Sequence, residues 1–163
     1  MAIPNFVLLI VGAGELDKEI RKAIMTYEAQ EYVFTCGMID YAHLPDYLSL
    51  ASIALCPFEV NDITREIIPI KILQYLASSL PVICTPLPDV MSHFPEEISG
   101  AYYSKDDALE SYVHCLIQTL GDIQIREAGV RARDFVQKHY SINATITQLE
   151  SILANPKLAM SKN

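Results

Sequence analysis

EIIPIKILQYLASSLPVICTPLPD, residues 66–89, is the stretch from which the fold of this chain is read. It reads as a helix, a tight turn and a short buried strand. Ile67, Ile68, Ile70, Ile72, Leu73, Tyr75, Leu76 and Ala77 make the helix apolar on nearly every side. Lys71, Gln74 and Ser78 interrupt it at i, i+3 and i+7, forming one narrow polar stripe. Pro69 suits the first turn, where its missing N–H costs little. The helix stops near Ser79-Leu80-Pro81, and Val82-Ile83-Cys84 continues as a buried strand. Such a stripe either lines a cleft or faces water, and the pattern leaves both open.

Upstream, Phe6 to Val11 is a continuous apolar run, as expected of a strand buried on both faces. Gly12-Ala13-Gly14 turns the chain into a helix over residues 15–29, with Leu16, Ile20, Ala23 and Ile24 facing inward. Tyr32 to Cys36 is a second strand, ended by Gly37. A short helix follows from Pro45 to Leu50. Ile53 to Cys56 is a third strand, closed by Pro57, and residues 58–65 read as a loop. Downstream of the central segment, Pro86, Pro88 and Pro95 mark an irregular connection, and Ala101-Tyr102-Tyr103 is a fifth strand. Ser104 is the expected cap of a helix with Asp106 and Asp107 in its first turn. Leu109, Val113, Leu116, Ile117 and Leu120 give that helix its apolar face. Two further helices, near 122–139 and 142–154, have Ser141 as a cap between them, and residues 156–163 form a tail. Strands alternating with helices specify an α/β fold: one layer of five parallel strands with helices on both faces.

Composition sets outer bounds. A chain of 163 residues is read as one domain with a substantial core. Although 51% of it is apolar, no uninterrupted run is long enough to span a membrane, and no signal peptide is visible. A net charge of −8 counts against nucleic acid or a broad anionic-lipid surface as partner. Cys36, Cys56, Cys84 and Cys115 lack metal-ligand spacing and read as reduced thiols of a cytoplasmic protein. His43, His93, His114 and His139 are scattered, so no metal site and no Ser/His/Asp or Cys/His pairing is expected.

Three places invite chemistry. Gly12-Ala13-Gly14 after a buried strand suits close backbone approach to a phosphate at a helix N-terminus, although a plain strand–helix turn explains it too. Read as a dinucleotide fingerprint it fails at the third glycine, where Asp17 would repel a pyrophosphate. Gly37-Met38-Ile39 is either a binding loop or a loop glycine with Met38 and Ile39 packed inward. Glu66 precedes the central helix, where the helix dipole favours a carboxylate.

Together these segments resemble the C-terminal domain of retaining glycosyltransferases with the GT-B fold, the group 1 or family 4-like type. PIKILQYLASSLPVICTPLPDV is similar to the family pattern PxKxxEYLAxGxPVVATxLPxV, and FVLLIVGAGE to LxIVGxGP. YVFTCGMIDYAHLPDYLSLASIALCPF and ARDFVQKHYS match further family segments in the same order. The resemblance implies a Rossmann-like domain over residues 1–155 that binds a nucleoside-diphosphate sugar and needs no cofactor. It assigns Glu66 to the first position of the family's Glu-x7-Glu pair, contacting the donor sugar near the reacting carbon. The second position is Gln74, an amide in place of the acid, facing the donor ribose. Lys71 either approaches the diphosphate or is a solvated stem. Gly12 and Gly14 face the donor, and backbone groups at Gly37, Met38 and Ile39 hold its base. Ser79 stands where the family has its turn glycine. The family's first strand and helix, with an Arg and a Lys for the diphosphate, fall before Met1 in this register, as does an N-terminal acceptor-binding domain.

The leading expectation is therefore the nucleotide-sugar half of a glycosyltransferase for polysaccharide or glycolipid synthesis, inactive as the isolated chain. Membrane association would come only through the N-terminal half, and an open sheet edge could join copies of the chain. A non-catalytic relic or interaction domain is the alternative, supported by Gln74. A NAD(P)-dependent oxidoreductase is suggested by Gly12-Ala13-Gly14 alone.

Overall fold

The computed structural model describes residues 6–122 and 124–154; the expected tail at 156–163 lies outside them. The chain divides into two compact units between Tyr47 and Leu48. The architecture is α/β, and every described strand pair is parallel. The strands form two ladders, of two and three strands, where the periodicity predicts one five-stranded layer. Period and composition specify a strand, but which strands become neighbours is settled by tertiary packing.

In the first unit, β1 (Leu8–Val11) pairs with β2 (Val33–Gly37) through the crossover helix α1 (Asp17–Thr26). The register runs Leu8↔Val33 to Ile10↔Thr35, then shifts so that Val11 faces Gly37. A 3-10 turn, Tyr41–His43, follows, with the Asp40 carboxylate accepting from the Ala42 N–H at 2.9 Å. It leads into α2 (Leu44–Leu50), which runs across the division. No described residue of this unit is buried. The expectation of a strand buried on both faces therefore fails. Leu8, Leu9 and Ile10 are only half-buried, and Leu16, expected to face inward, is 66% exposed. Ala23 is exposed too, while Ile20 and Ile24 are half-buried. Two strands and one crossover helix offer few partners to an apolar run, whatever its hydrophobicity.

The second unit holds the core. Its sheet has the order β3 (Ala54–Cys56), β4 (Val82–Cys84), β5 (Ala101–Tyr103). Helix α3 (Ile70–Ala77) crosses from β3 to β4 and buries Ile72 and Leu76 completely. The central strand β4 is buried at all three residues. The expected irregular connection after it contains two short helices, α4 (Pro88–His93) and α5 (Glu96–Ser99). Pro88 opens α4 at a position where its missing N–H is harmless, so it starts a helix instead of preventing one. Helices α6 (Leu109–Leu120), α7 (Ile125–Tyr140) and α8 (Ile142–Ala154) complete the unit. Ala128, Gly129, Ala132 and Val136 of α7 are buried, and α7 packs against α3 and α5. Phe94 is fully buried and stacks on Tyr140 at 5.1 Å between ring centroids.

Several local expectations are corrected. Pro69 is the extended N-cap of α3, one residue before its first turn, and Ile70 is 72% exposed. Ser104 does not cap α6: its Oγ donates to the Asp106 carbonyl at 2.7 Å, and Ala108 occupies the cap position. The face that α6 buries carries Tyr112 and Thr119, whereas Leu109 is 72% exposed and Val113 and Leu120 are exposed as well. A polar residue satisfied by hydrogen bonds can occupy the inner face that apolar periodicity assigns to leucine and valine. Ser141 does cap α8, its Oγ accepting from the Ala144 N–H at 3.2 Å.

Two side chains fix the second sheet. Tyr112 reaches from α6 into the ladder, donating its hydroxyl to the Ile83 carbonyl at 2.8 Å and accepting from the Cys56 N–H at 3.1 Å. Burial pushes its phenol well above the usual range, so it stays protonated and can do both. One N–H group of β5 is met from α5: Ala101 donates to Ser99 Oγ at 3.2 Å. Such a contact blunts a strand edge. Burial and then Glu97 raise the Glu96 pKa.

The turn after α3 is tight. Ser79 has a positive φ of 61°, the left-handed conformation that a glycine adopts freely. A Cβ on Gly129 would collide with the Ser79 carbonyl oxygen, so α7 approaches this turn through a glycine. We expect Ser79→Gly to raise stability by up to about 1 kcal/mol in urea unfolding, relief of left-handed strain exceeding the entropic cost of glycine. Tyr112→Phe should lower it by about 1–3 kcal/mol, because the Cys56 N–H and Ile83 carbonyl lose a buried partner. An unchanged unfolding midpoint would show that the hydroxyl does not pin the sheet.

Candidate functional site

In parallel α/β sheets, the loops that leave the carboxyl ends of the strands supply the binding groups. In the first unit these are the loops after Val11 and Gly37. Gly12 has φ 128° and Gly37 φ 66°, backbone that side-chain-bearing residues rarely adopt. The Gly12 N–H donates to the Gly37 carbonyl at 2.9 Å, so two glycines proposed from separate motifs meet in one bridge. Gly14 is exposed, and its N–H donates to Asp17 Oδ1 at 3.0 Å, while the Asp17 N–H returns to the Gly14 carbonyl at 3.2 Å. The carboxylate thus satisfies an N–H that a phosphate would otherwise use, and Glu19 adds a second negative charge to the first turn of α1. Beyond Gly37, Met38 points outward at 77% exposure and Ile39 is half-buried. A small hollow of about 10 Å3, enough for one water, is lined by Gly12, Asp17, Arg21, Thr35 and Gly37 among others. Arg21 was not singled out from the sequence. Its signal was its place one turn after Asp17, on the same helix face.

In the second unit, β3 leaves through Pro57 and Phe58. The Phe58 N–H is shared between the Cys56 carbonyl and Thr85 Oγ1, each at 3.1 Å, which ties the exit of β3 to that of β4. The loop beyond is organised by Asn61 and Thr64. Asn61 Oδ1 accepts from the Ile63 and Thr64 N–H groups at 3.0 Å, and Thr64 Oγ1 accepts from the Asn61 N–H at 2.8 Å. Thr64 Oγ1 also donates to the Glu59 carbonyl at 2.5 Å. These bonds build the 3-10 turn Thr64–Glu66, which packs against α4. Glu66 is exposed at the end of that turn.

The chain then enters α3. Lys71 is exposed and its Nζ lies 5.0 Å from the centroid of the Phe58 ring. Gln74, one turn later, is half-buried, and Ser78 is exposed. The polar stripe expected at these three positions is therefore present, with Gln74 its most covered member. Glu66, Lys71 and Gln74 follow one another in chain order from the 3-10 turn into the helix. Phe58 and Thr85 were missed as contributors, because their meeting depends on β3 and β4 being neighbours.

Cys56 and Cys84 stand opposite one another in the β3–β4 ladder, both buried and free. The hydrogen bond with Cys84 lowers the Cys56 pKa against the effect of burial, and the Lys71 charge helps. Cys84 moves the other way, raised by that hydrogen bond and by burial. Among the described residues, no group of three His, Cys, Asp or Glu side chains is placed to hold a metal ion. No described helix is long and apolar enough to cross a membrane.

Comparison with known proteins gives this geometry a family. The chain is 25% identical over 152 residues to the amylovoran biosynthesis glycosyltransferase AmsK of Erwinia amylovora, covering 91% of this chain and 37% of that protein. Its fold matches sucrose-phosphate synthase from Thermosynechococcus elongatus at a TM-score of 0.75 and 19% identity, over 96% of this chain and 40% of the other. It also matches a TarM variant of S. aureus, solved with fondaparinux, alpha-GlcNAc-glycerol and UDP, at a TM-score of 0.73 and 16% identity. That likeness covers 90% of this chain and 28% of TarM. Residues 2–122 match the family described as glycosyl transferases group 1, which takes in the strand exits, the Glu66 turn and α3, and the chain belongs to that family.

Proposed function

We propose that this chain is the nucleotide-sugar-binding half of a retaining glycosyltransferase acting in polysaccharide or glycolipid synthesis. The observation that carries the reading is the path from Glu66 through Lys71 to Gln74, leading from the exit of β3 into α3. A carboxylate, an ammonium and an amide on one path match the parts of a nucleoside-diphosphate sugar: sugar, diphosphate and ribose. Lys71 would offset diphosphate charge, and Gln74 would hydrogen-bond a ribose hydroxyl. Glu66 would set the donor sugar near its reacting carbon. Taken by itself, the first unit would offer a nucleotide backbone groups at Gly12, Gly37, Met38 and Ile39, and at Gly14, whose N–H is already held by Asp17. Relatives with much longer chains support a second, acceptor-binding half as this chain's partner, and TarM, solved with UDP, supports the ligand class.

The second reading, a binding or interaction domain without catalysis, is favoured by two specific features. Gln74 removes a charge from the ribose contact, and Asp17 already occupies the Gly14 N–H. The same Asp17 contact counts against a dinucleotide cofactor, whose pyrophosphate would need that N–H.

Titration with UDP, GDP and NADH, followed by NMR, separates these readings. We expect weak binding of a uridine or guanosine diphosphate, with shifts at Gly14, Met38, Lys71 and Gln74. Gln74→Glu should tighten it by up to about tenfold if the side chain meets ribose hydroxyls. Preferential NADH binding would support the oxidoreductase instead.

For catalysis, we expect no sugar transfer by the isolated chain. Holding an acceptor against the donor's reacting carbon supplies about 7–11 kcal/mol of a barrier, and that acceptor must be held by the second half. Donor turnover should be measured with and without an N-terminal half taken from a relative. Transfer by this chain alone would refute the division of labour.

A further inference from the structure

Lys71 is exposed, with four rotatable bonds, and an unrestrained ammonium of this kind is a diffuse charge that no ligand meets in one place. In this structure it sits over a ring. The Phe58 face lies 5.0 Å from Nζ, within cation–π range. Among the described residues no ion pair ties Lys71 to Glu59 or Glu66, the carboxylates that share its loop and helix. Its charge is nevertheless felt at the exit of β3, where it helps to lower the pKa of Cys56.

The ring itself is held firmly. The Phe58 N–H is shared between the Cys56 carbonyl and Thr85 Oγ1, and Thr85 is buried at the exit of β4. The side chain is half-buried and packs against the buried core. Pro57 before it restricts the backbone further. Phe58 is thus a fixed plate beside the start of α3, and Lys71 is the mobile group resting on it.

We propose that Phe58 is a positioning residue for Lys71, its ring holding the ammonium group ready for the diphosphate of a nucleotide donor. This rests on the nucleotide-sugar reading above and adds to it the residue that sets where Lys71 stands. Phe58 touches no reacting atom. It acts by limiting the rotamers of Lys71, so that less freedom is lost when a phosphate binds. The ammonium is held weakly enough over a half-buried ring for a diphosphate to share it.

The test combines NMR and calorimetry on the whole chain. In the parent, the Lys71 ε-methylene resonances should lie upfield, shielded by the ring, and Phe58→Leu should return them to ordinary positions. Phe58→Leu should weaken UDP by about fivefold and leave uridine unchanged, because only the phosphates meet Lys71. In a Lys71→Met background, Phe58→Leu should have no further effect on UDP. Phe58→Tyr, which keeps the ring, should restore both the upfield shift and the affinity. If Phe58→Leu does not fold, Phe58→Trp replaces it. A stronger shift with UDP bound at least as tightly supports the proposal, and weaker UDP binding overturns it. UDP binding that depends on Lys71 but not on Phe58 overturns this inference alone. An equal loss with Lys71 present or absent assigns Phe58 a purely structural role and does the same. No UDP binding by the parent chain overturns the nucleotide reading and this inference with it.

Discussion

Parallel pairing is the constraint on which the rest of this structure depends. Because β1 with β2, and β3 with β4 and β5, run in the same direction, each connection must cross over, and every strand in a sheet leaves by the same edge. The groups with chemical potential gather there for that reason. In the first unit, the edge brings Gly12 to Gly37. In the second it carries the Phe58 exit, the Glu66 turn and the first turn of α3. Parallel ladders also need their polar ends satisfied. Tyr112, Thr85 and Ser99 do this with their side chains.

The two units meet this constraint with unequal means. The second unit fills its interior with Phe94, Ile72, Leu76, Ile83 and Leu87, each fully buried and each stabilising by about 1.5–3 kcal/mol. The side chains proposed to meet the donor stand on a packed support. In the first unit no described residue is buried, and its groups of interest are backbone N–H and carbonyl groups on glycines. A backbone-built site needs chain geometry more than a large core, and the Gly12–Gly37 bridge supplies part of it.

Charge is distributed along the same lines. The chain carries −8 overall, and Asp17 and Glu19 make the start of α1 negative. Against that background Lys71 rests over an aromatic face and forms no ion pair with Glu59 or Glu66 among the described residues. Glu66 stands exposed on a turn tied by Asn61 and Thr64, so its position is set by loop hydrogen bonds.

Much of this was legible in the residues themselves. The type and order of the strands and of α1, α3, α6, α7 and α8 follow from apolar runs and helical period, which near neighbours in the chain determine. The Lys71, Gln74 and Ser78 stripe, the tight turn after α3 and the Ser141 cap were local in the same sense. The segment PIKILQYLASSLPVICTPLPDV, read with the neighbouring segments in the same order, carried the family, because helix, turn and strand match there together. What the tertiary structure alone decided involves partners far apart in sequence. Phe58 meets Thr85 across 27 residues, Tyr112 meets Ile83 across 29 and Cys56 across 56. Period cannot encode such meetings, since they depend on which strands lie side by side. The same reason explains why α6 buries Tyr112 where periodicity favoured leucine and valine. A tyrosine inside a sheet is stable only when that sheet offers it an N–H and a carbonyl, and β3 and β4 do.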